Sequence, residues 1–128
     1  KAIDIARNAD VAIFGIGSNG SASSEMVLGE FDLNKTEREG IARTYAGDIA
    51  SRFYNLMGKV VDATLDHRVV GVSLDEIRKI PKKIGIATGA EKVVGVIGAA
   101  RGKLVDYLII DIACANGVLK LLSAGEGN

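Results

Sequence analysis

Cysteine, histidine and proline each occur once in this chain, and neither sign of charge is in excess. Each shortage excludes something. Cys114 has no partner for an intrachain disulfide and cannot make a metal site alone, and the lone His67 reads as a surface or satisfied core residue. That agrees with a reducing compartment, so a cytoplasmic location is expected. Sixteen Lys and Arg against sixteen Asp and Glu leave a formal net charge of zero. Nucleic-acid-binding domains usually carry a basic excess on one face, and no run of Lys or Arg supplies one here. Any DNA contact is therefore expected from a segment outside these residues. No apolar run approaches the ~20 residues that span a bilayer. Lys1-Ala2-Ile3-Asp4 lacks the apolar core of a secretion signal. No membrane association, cofactor or metal is expected.

Glycine, by contrast, is abundant, with sixteen copies in 128 residues that are 48% hydrophobic. That length suits one domain or a large piece of one. Glycines fall at the ends of apolar runs, where tight turns or close approach to a ligand need a bare backbone. Three such runs, Val11–Phe14, Ile84–Ala87 and Tyr107–Ile110, are continuous and not alternating, which predicts parallel strands buried on both faces. A helical remnant (Ile3, Ile5, Ala6) precedes the first. Apolar stripes follow the others: Val93, Val94, Ile97 and Leu104, then Cys114, Val118, Leu121 and Leu122. Strands alternating with helices predict α/β architecture with right-handed crossovers.

Helix starts are marked by Ser/Thr-x-x-Glu capping boxes at Thr36–Glu39, Ser73–Glu76 and Thr88–Glu91. Pro81 should stop the short Ser73 helix, Gly47 should occupy the left-handed end of the Thr36 helix, and Asp111 should cap the last helix. The stretch from Gly47 to Gly71 reads as a hairpin-like excursion, with a turn at Gly58 and candidate strands at Val60-Val61 and Val69-Val70. Residues 123–128 read as a frayed terminus. Gly95 and Gly98 would permit close packing, with a subunit contact one possibility. Three strands make a small open sheet with an unpaired edge, which predicts a longer natural protein with further strands upstream.

Gly15-Ile16-Gly17-Ser18-Asn19-Gly20 matches the dinucleotide fingerprint G-x-G-x-x-G. A dinucleotide unit also needs a second apolar strand ending in an acidic residue ~20 positions on. Here Asp32 to Glu39 is polar and starts a helix, so the fingerprint is read as a ligand-facing loop without a nucleotide.

In order, the chain carries Gly15-Ile16-Gly17-Ser18, then Ala46-Gly47-Asp48-Ile49 with Arg52-Phe53-Tyr54, then Arg68 to Arg78. Ile84 to Lys92 and Leu108-Ile109-Ile110-Asp111 follow. This succession resembles the C-terminal part of the sugar-binding effector domain of SorC-family bacterial transcriptional regulators, along nearly the whole chain. The resemblance implies a three-layer Rossmann-like parallel sheet, similar to the glucosamine-6-phosphate deaminase and ribose-5-phosphate isomerase fold, of which residues 1–128 are a portion. It implies a phosphosugar effector, operator DNA bound by a helix-turn-helix domain absent here, and assembly into homo-dimers or tetramers. Family members often have Gly-Gly at Thr88-Gly89 and Thr-Asp-Glu at Ile110-Asp111-Ile112. The second departure removes a hydroxyl and a carboxylate, which points to a different effector.

Six residues are candidate ligand contacts: Gly17, Ser18, Asp48, Thr88, Gly89 and Lys92. Lys92, in the first turn of the helix expected after Thr88, would add a point charge to an anion-favouring helix start; otherwise it is a solvent lysine. Asp48 could fix sugar hydroxyls or bond its own turn. Gly17 and Ser18 end the first strand, on the side where open α/β sheets bind ligands, or form a plain tight turn. Thr88 is a cap first, with Gly89 beside it. No catalytic residue is expected. The competing reading is a sugar-phosphate isomerase or deaminase of the same fold group, with Asp48 as general base.

Overall fold

The computed structural model describes residues 1–126. After α1 (Ala2–Arg7), three strands form a parallel sheet: β1 (Val11–Gly15), β5 (Lys82–Ala87) and β6 (Tyr107–Ile110), in the order β1-β5-β6. Ile13 pairs with Ile84 and Gly15 with Ile86. Ile84 pairs in turn with Tyr107, and Ile86 with Ile109. A second, antiparallel sheet joins β2 (Gly17–Ser18), β3 (Gly47–Ile49) and β4 (Arg52–Tyr54). The helices are α2 (Ala22–Gly29), α3 (Lys35–Thr44), α4 (Ala63–His67), α5 (Leu74–Arg78), α6 (Val93–Arg101) and α7 (Ile112–Glu126). A 3-10 turn, Ala90–Lys92, leads into α6. The predicted parallel α/β architecture is present, and all three predicted strands lie where the apolar runs placed them.

Their burial differs from the expectation. Side chains alternate across a strand, and one face of the parallel sheet packs into a core of Ile16, Ile49, Tyr54, Leu74, Ile77, Val96, Leu104 and Cys114. The opposite face is open: Val11 is 50%, Ile13 65%, Tyr107 58% and Ile109 58% exposed. Continuous apolarity thus marks strands built for two covered faces, and these residues cover one. A second core of Leu28, Ile41, Tyr45, Phe53 and Leu65 lies beneath the hairpin. The Phe53 ring meets Tyr45 edge-on at 5.1 Å and Phe31 at 6.2 Å, the arrangement that aromatic quadrupoles favour.

Local signals were partly misread. The Ser73 box and the Asp111 cap form as expected. The α3 cap is Asn34, two residues before Thr36, through an overlapping Asn34/Glu37 box. Starting there adds the Arg38 N–H to Asn34 carbonyl bond of 3.0 Å. Gly47 does not end that helix, which closes at Tyr45, because it is needed in β3. The Gly47–Gly71 excursion is a hairpin, but its strands are β3 and β4. Val60 makes only an isolated bridge to Tyr54, and Val69-Val70 is not a strand. Gly58, at φ +76°, does form the turn. Leu104 lies beyond α6 though buried, and Leu121 and Leu122 are exposed. Residues 123–126 are helical and not frayed; residues 127 and 128 lie outside the described ones. Gly95 and Gly98 pack within the chain, against the Gly17 carbonyl and the Tyr54 ring.

Candidate functional site

β1 and β5 run parallel, so their C-terminal ends, Gly15 and Ala87, open onto the same side of the sheet. A crevice of about 320 Å³ lies there, lined by Gly17, Ser23, Asp48, Thr88 and Lys92 with apolar Ile16, Val27 and Ile86. That volume is at the lower end for small-molecule sites. Four of the six predicted residues, Gly17, Asp48, Thr88 and Lys92, come together on its wall. Ser18 and Gly89 do not.

The crevice depends on the second sheet. β2 turns away from β1 at Ile16 and pairs with β3, opposing Gly17 to Asp48. Gly17 and Ser18 therefore belong to β2 and do not end the first strand, as the sequence suggested. A Cβ at Gly17 would overlap Asp48 Oδ1 and Ser24 Oγ, so only glycine leaves the carboxylate its place. The Ser18 hydroxyl is spent on structure: it accepts from the Gly95 N–H at 3.0 Å and donates to the Ala46 carbonyl at 3.4 Å.

Asp48 is buried, 7% exposed, and Ser24 Oγ donates to its Oδ1. Burial pushes its carboxyl above the usual 3.8, while the Ser24 bond and the Lys92 charge pull the other way. Lys92 closes the 3-10 turn, and its Nζ donates to Ser23 Oγ at 2.8 Å. The expected Thr88 cap is absent: the turn starts at Gly89, φ +101°, without a side-chain cap. Gly89 cannot carry a Cβ in that conformation without strain, and its N–H donates at 3.1 Å to both oxygens of Asp111. Hydrogen bonds from the Cys114 and Gly89 N–H groups hold the Asp111 carboxyl below its usual range. Thr88 is thus freed to face the crevice.

Chemically, the crevice offers an acceptor-only carboxylate, an ammonium with three donors, a threonine hydroxyl and apolar side chains. That set suits a small polyhydroxylated or anionic molecule. Among the described residues no group of three His, Cys, Asp or Glu could hold a metal. The glycine-rich loop opens no βαβ nucleotide unit, since α2 is followed by α3 and not by a strand. His67 ends α4, exposed and away from the crevice. Ser23 and Ser24 were missed, although Ser21-Ala22-Ser23-Ser24 follows the glycine-rich loop directly. Small hydroxyl residues just after such a loop were the available signal.

Residues 1–120 match the family described as "Putative sugar-binding domain". The deoxyribonucleoside regulator of Bacillus subtilis is 32% identical over 111 residues, covering 87% of this chain and 35% of that protein. Among solved structures, the full-length sorbitol operon regulator SorC of Klebsiella pneumoniae superposes with a TM-score of 0.76. It is 31% identical, over 91% of this chain and 37% of that one. A transcriptional regulator from Streptococcus pneumoniae gives a TM-score of 0.77 at 29% identity, over 93% of this chain and 44% of that one. The chain spans about a third of the length of the curated relatives it matches. No helix among the described residues is long and apolar enough to cross a membrane.

Proposed function

We propose, from the premise that this chain belongs to the sugar-binding domain family of SorC-type transcriptional regulators, that its crevice senses a phosphorylated sugar. The observation that carries this reading is Asp48 and Lys92 on one crevice wall, each bonded to a serine and not to the other. The carboxylate would accept from sugar hydroxyls, and Lys92 would meet the phosphate or a hydroxyl lone pair. Thr88 would add a hydroxyl and Gly17 the room. Ser18 and Gly89 would act behind the wall, holding β2 against α6 and the Thr88 turn against Asp111.

The open apolar face of the sheet and the share of the relatives covered support a further point. These 128 residues are the C-terminal portion of an effector domain, in a cytoplasmic protein whose helix-turn-helix lies elsewhere. Effector binding would regulate operator DNA by favouring one arrangement of a homo-dimer or tetramer, which requires different affinities for two states. A thermal-shift screen of the full-length protein against a phosphosugar panel tests the site. A ligand at one hundred times its dissociation constant should stabilise the native state by ~2.7 kcal/mol. The shift should vanish in Lys92→Ala. A folded, operator-binding protein that responds to no phosphosugar would overturn the effector class.

The buried carboxylate with its raised proton affinity also favours a second reading, a general base in a sugar-phosphate isomerase or deaminase. Turnover of ribose 5-phosphate or glucosamine 6-phosphate that is lost in Asp48→Asn would establish it.

A further inference from the structure

Opposite charges lining one small crevice ordinarily close on each other, because the attraction strengthens as water is excluded. Asp48 and Lys92 do not, and the reason lies in α2. Its N-cap, Ser21, accepts at 3.2 Å from the Ser18 N–H and at 3.4 Å from the Ser24 N–H. Its hydroxyl also lies 3.2 Å from that of Ser23. The first turn of α2 is thereby pinned to β2, with Ser23 and Ser24 on consecutive positions reaching different partners. Ser23 takes the Lys92 ammonium and Ser24 takes Asp48 Oδ1. Among the described residues these serines are the only hydrogen-bond partners of the two charged side chains.

We infer that Ser23 and Ser24 are positioning residues that hold Lys92 and Asp48 apart, keeping an acceptor and a donor available to a ligand in place of a closed internal ion pair. The inference rests on the crevice being the effector site, but its core, two charges kept from pairing, belongs to the unliganded protein. In Ser24→Ala the carboxylate loses its tether and closes on Lys92. In Ser23→Ala the ammonium is released towards Asp48. Ser24→Ala leaves the Ser21 cap untouched, and Ser23→Ala removes only a hydroxyl contact to Ser21 while the Ser18 and Ser24 N–H bonds to the cap remain. Neither adds volume, so α2 is retained.

The test is the titration of the Asp48 carboxyl, followed by carbon-13 NMR in the full-length protein. The groups that act on it are the Lys92 ammonium and the Ser24 hydroxyl, with the Tyr45 and Tyr54 phenols nearby. If the serines hold the charges apart, Ser24→Ala lowers the midpoint, because an ion pair replaces a hydrogen bond. Adding Lys92→Met to that variant should reverse the change, and Ser24→Thr should leave the wild-type midpoint in place. A merely structural serine predicts the opposite sign: losing its hydrogen bond with nothing in exchange raises the midpoint, and that result overturns the inference. A second arm measures ribose 5-phosphate and inorganic phosphate binding by calorimetry. The Ser23→Ala/Ser24→Ala double variant should bind whichever probe the wild type binds at least about tenfold more weakly, as for loss of charge-assisted contacts. If the wild type binds neither probe while the midpoint falls as expected, the positioning role stands and only the phosphosugar reading is damaged. Undiminished affinity in the double variant would overturn the positioning role even if the wild type binds tightly.

Discussion

Asp48 and Arg52 lie four residues apart in one hairpin, both buried and both charged, and the protein treats them in opposite ways. Arg52 is saturated. Its guanidinium donates to the backbone carbonyls of Asp66, Val69, Gly71 and Val72, and its Nη1 lies 3.1 Å from Asp66 Oδ1. It ties the irregular segment after α4 to the hairpin, with its guanidinium turned to these backbone and carboxylate oxygens. Lys83 behaves likewise, bonded to the carbonyls of Arg78 and Ile80 and to the Asp106 carboxylate. Asp48 has one serine as its hydrogen-bond partner. An ionised carboxylate can accept several hydrogen bonds, so Asp48 keeps unused capacity beside a crevice. Burial alone does not distinguish the two; what sets Asp48 apart is unfilled hydrogen-bonding capacity that opens onto a crevice.

The comparison can be broken from either side. The largest effect is expected for Arg52→Met, which strands several buried carbonyls and the Asp66 carboxylate. Breaking such a pair costs about 3–5 kcal/mol, measurable as a lower urea midpoint. Gly17→Ala comes next. The new methyl overlaps Asp48 and Ser24, and overpacking of this kind costs about 1–3 kcal/mol, together with loss of whatever the crevice binds in a calorimetric titration. Asp48→Asn should move stability the other way, by roughly +1 kcal/mol near neutral pH, since it removes a poorly compensated buried charge while keeping an acceptor for Ser24.

The sign of that effect can be followed with pH. Folding raises the Asp48 carboxyl above its unfolded 3.8, so its favourable contribution is full below that value. It disappears as pH rises through the folded value. The Asn variant should therefore gain over wild type above the folded value and lose its advantage in acid. A pH-independent difference would show that desolvation of Asp48 is not the cause. The smallest effect is expected at the hairpin tip, where Ala50 and Ser51 have φ of 51° and 63°. Left-handed backbone costs a non-glycine residue about 1–2 kcal/mol, and glycine recovers part of that, so Ala50→Gly should raise the melting temperature slightly without altering binding.

Particular elements show how much could be read in advance. The apolar runs located β1, β5 and β6 because they are local and long enough to outweigh competing patterns. Asp48, Thr88 and Lys92 were nominated from their places in the family resemblance, since each also has an ordinary structural reading in the sequence, as a turn, a cap and a solvent lysine. The structure brings all three to one crevice. The α3 start was missed because two capping boxes overlap in Asn34–Glu39, and local chemistry permits both. The strands of the hairpin were missed because Gly47-Asp48-Ile49 has weak strand character of its own. It becomes a strand only by pairing with Gly17-Ser18 on one side and Arg52-Phe53-Tyr54 on the other.

By itself, the sequence determined the α/β class, the three parallel strands, the Ser73 and Asp111 caps and the family, all consequences of patterns within a few residues or of motifs in order. The tertiary structure alone decided that Gly17 opposes Asp48, that Ser24 and Ser23 hold Asp48 and Lys92 separately, and that one face of the sheet stays open. Those outcomes depend on contacts between residues 24 to 69 positions apart. Such contacts join elements that are distant in sequence, and no local propensity encodes them.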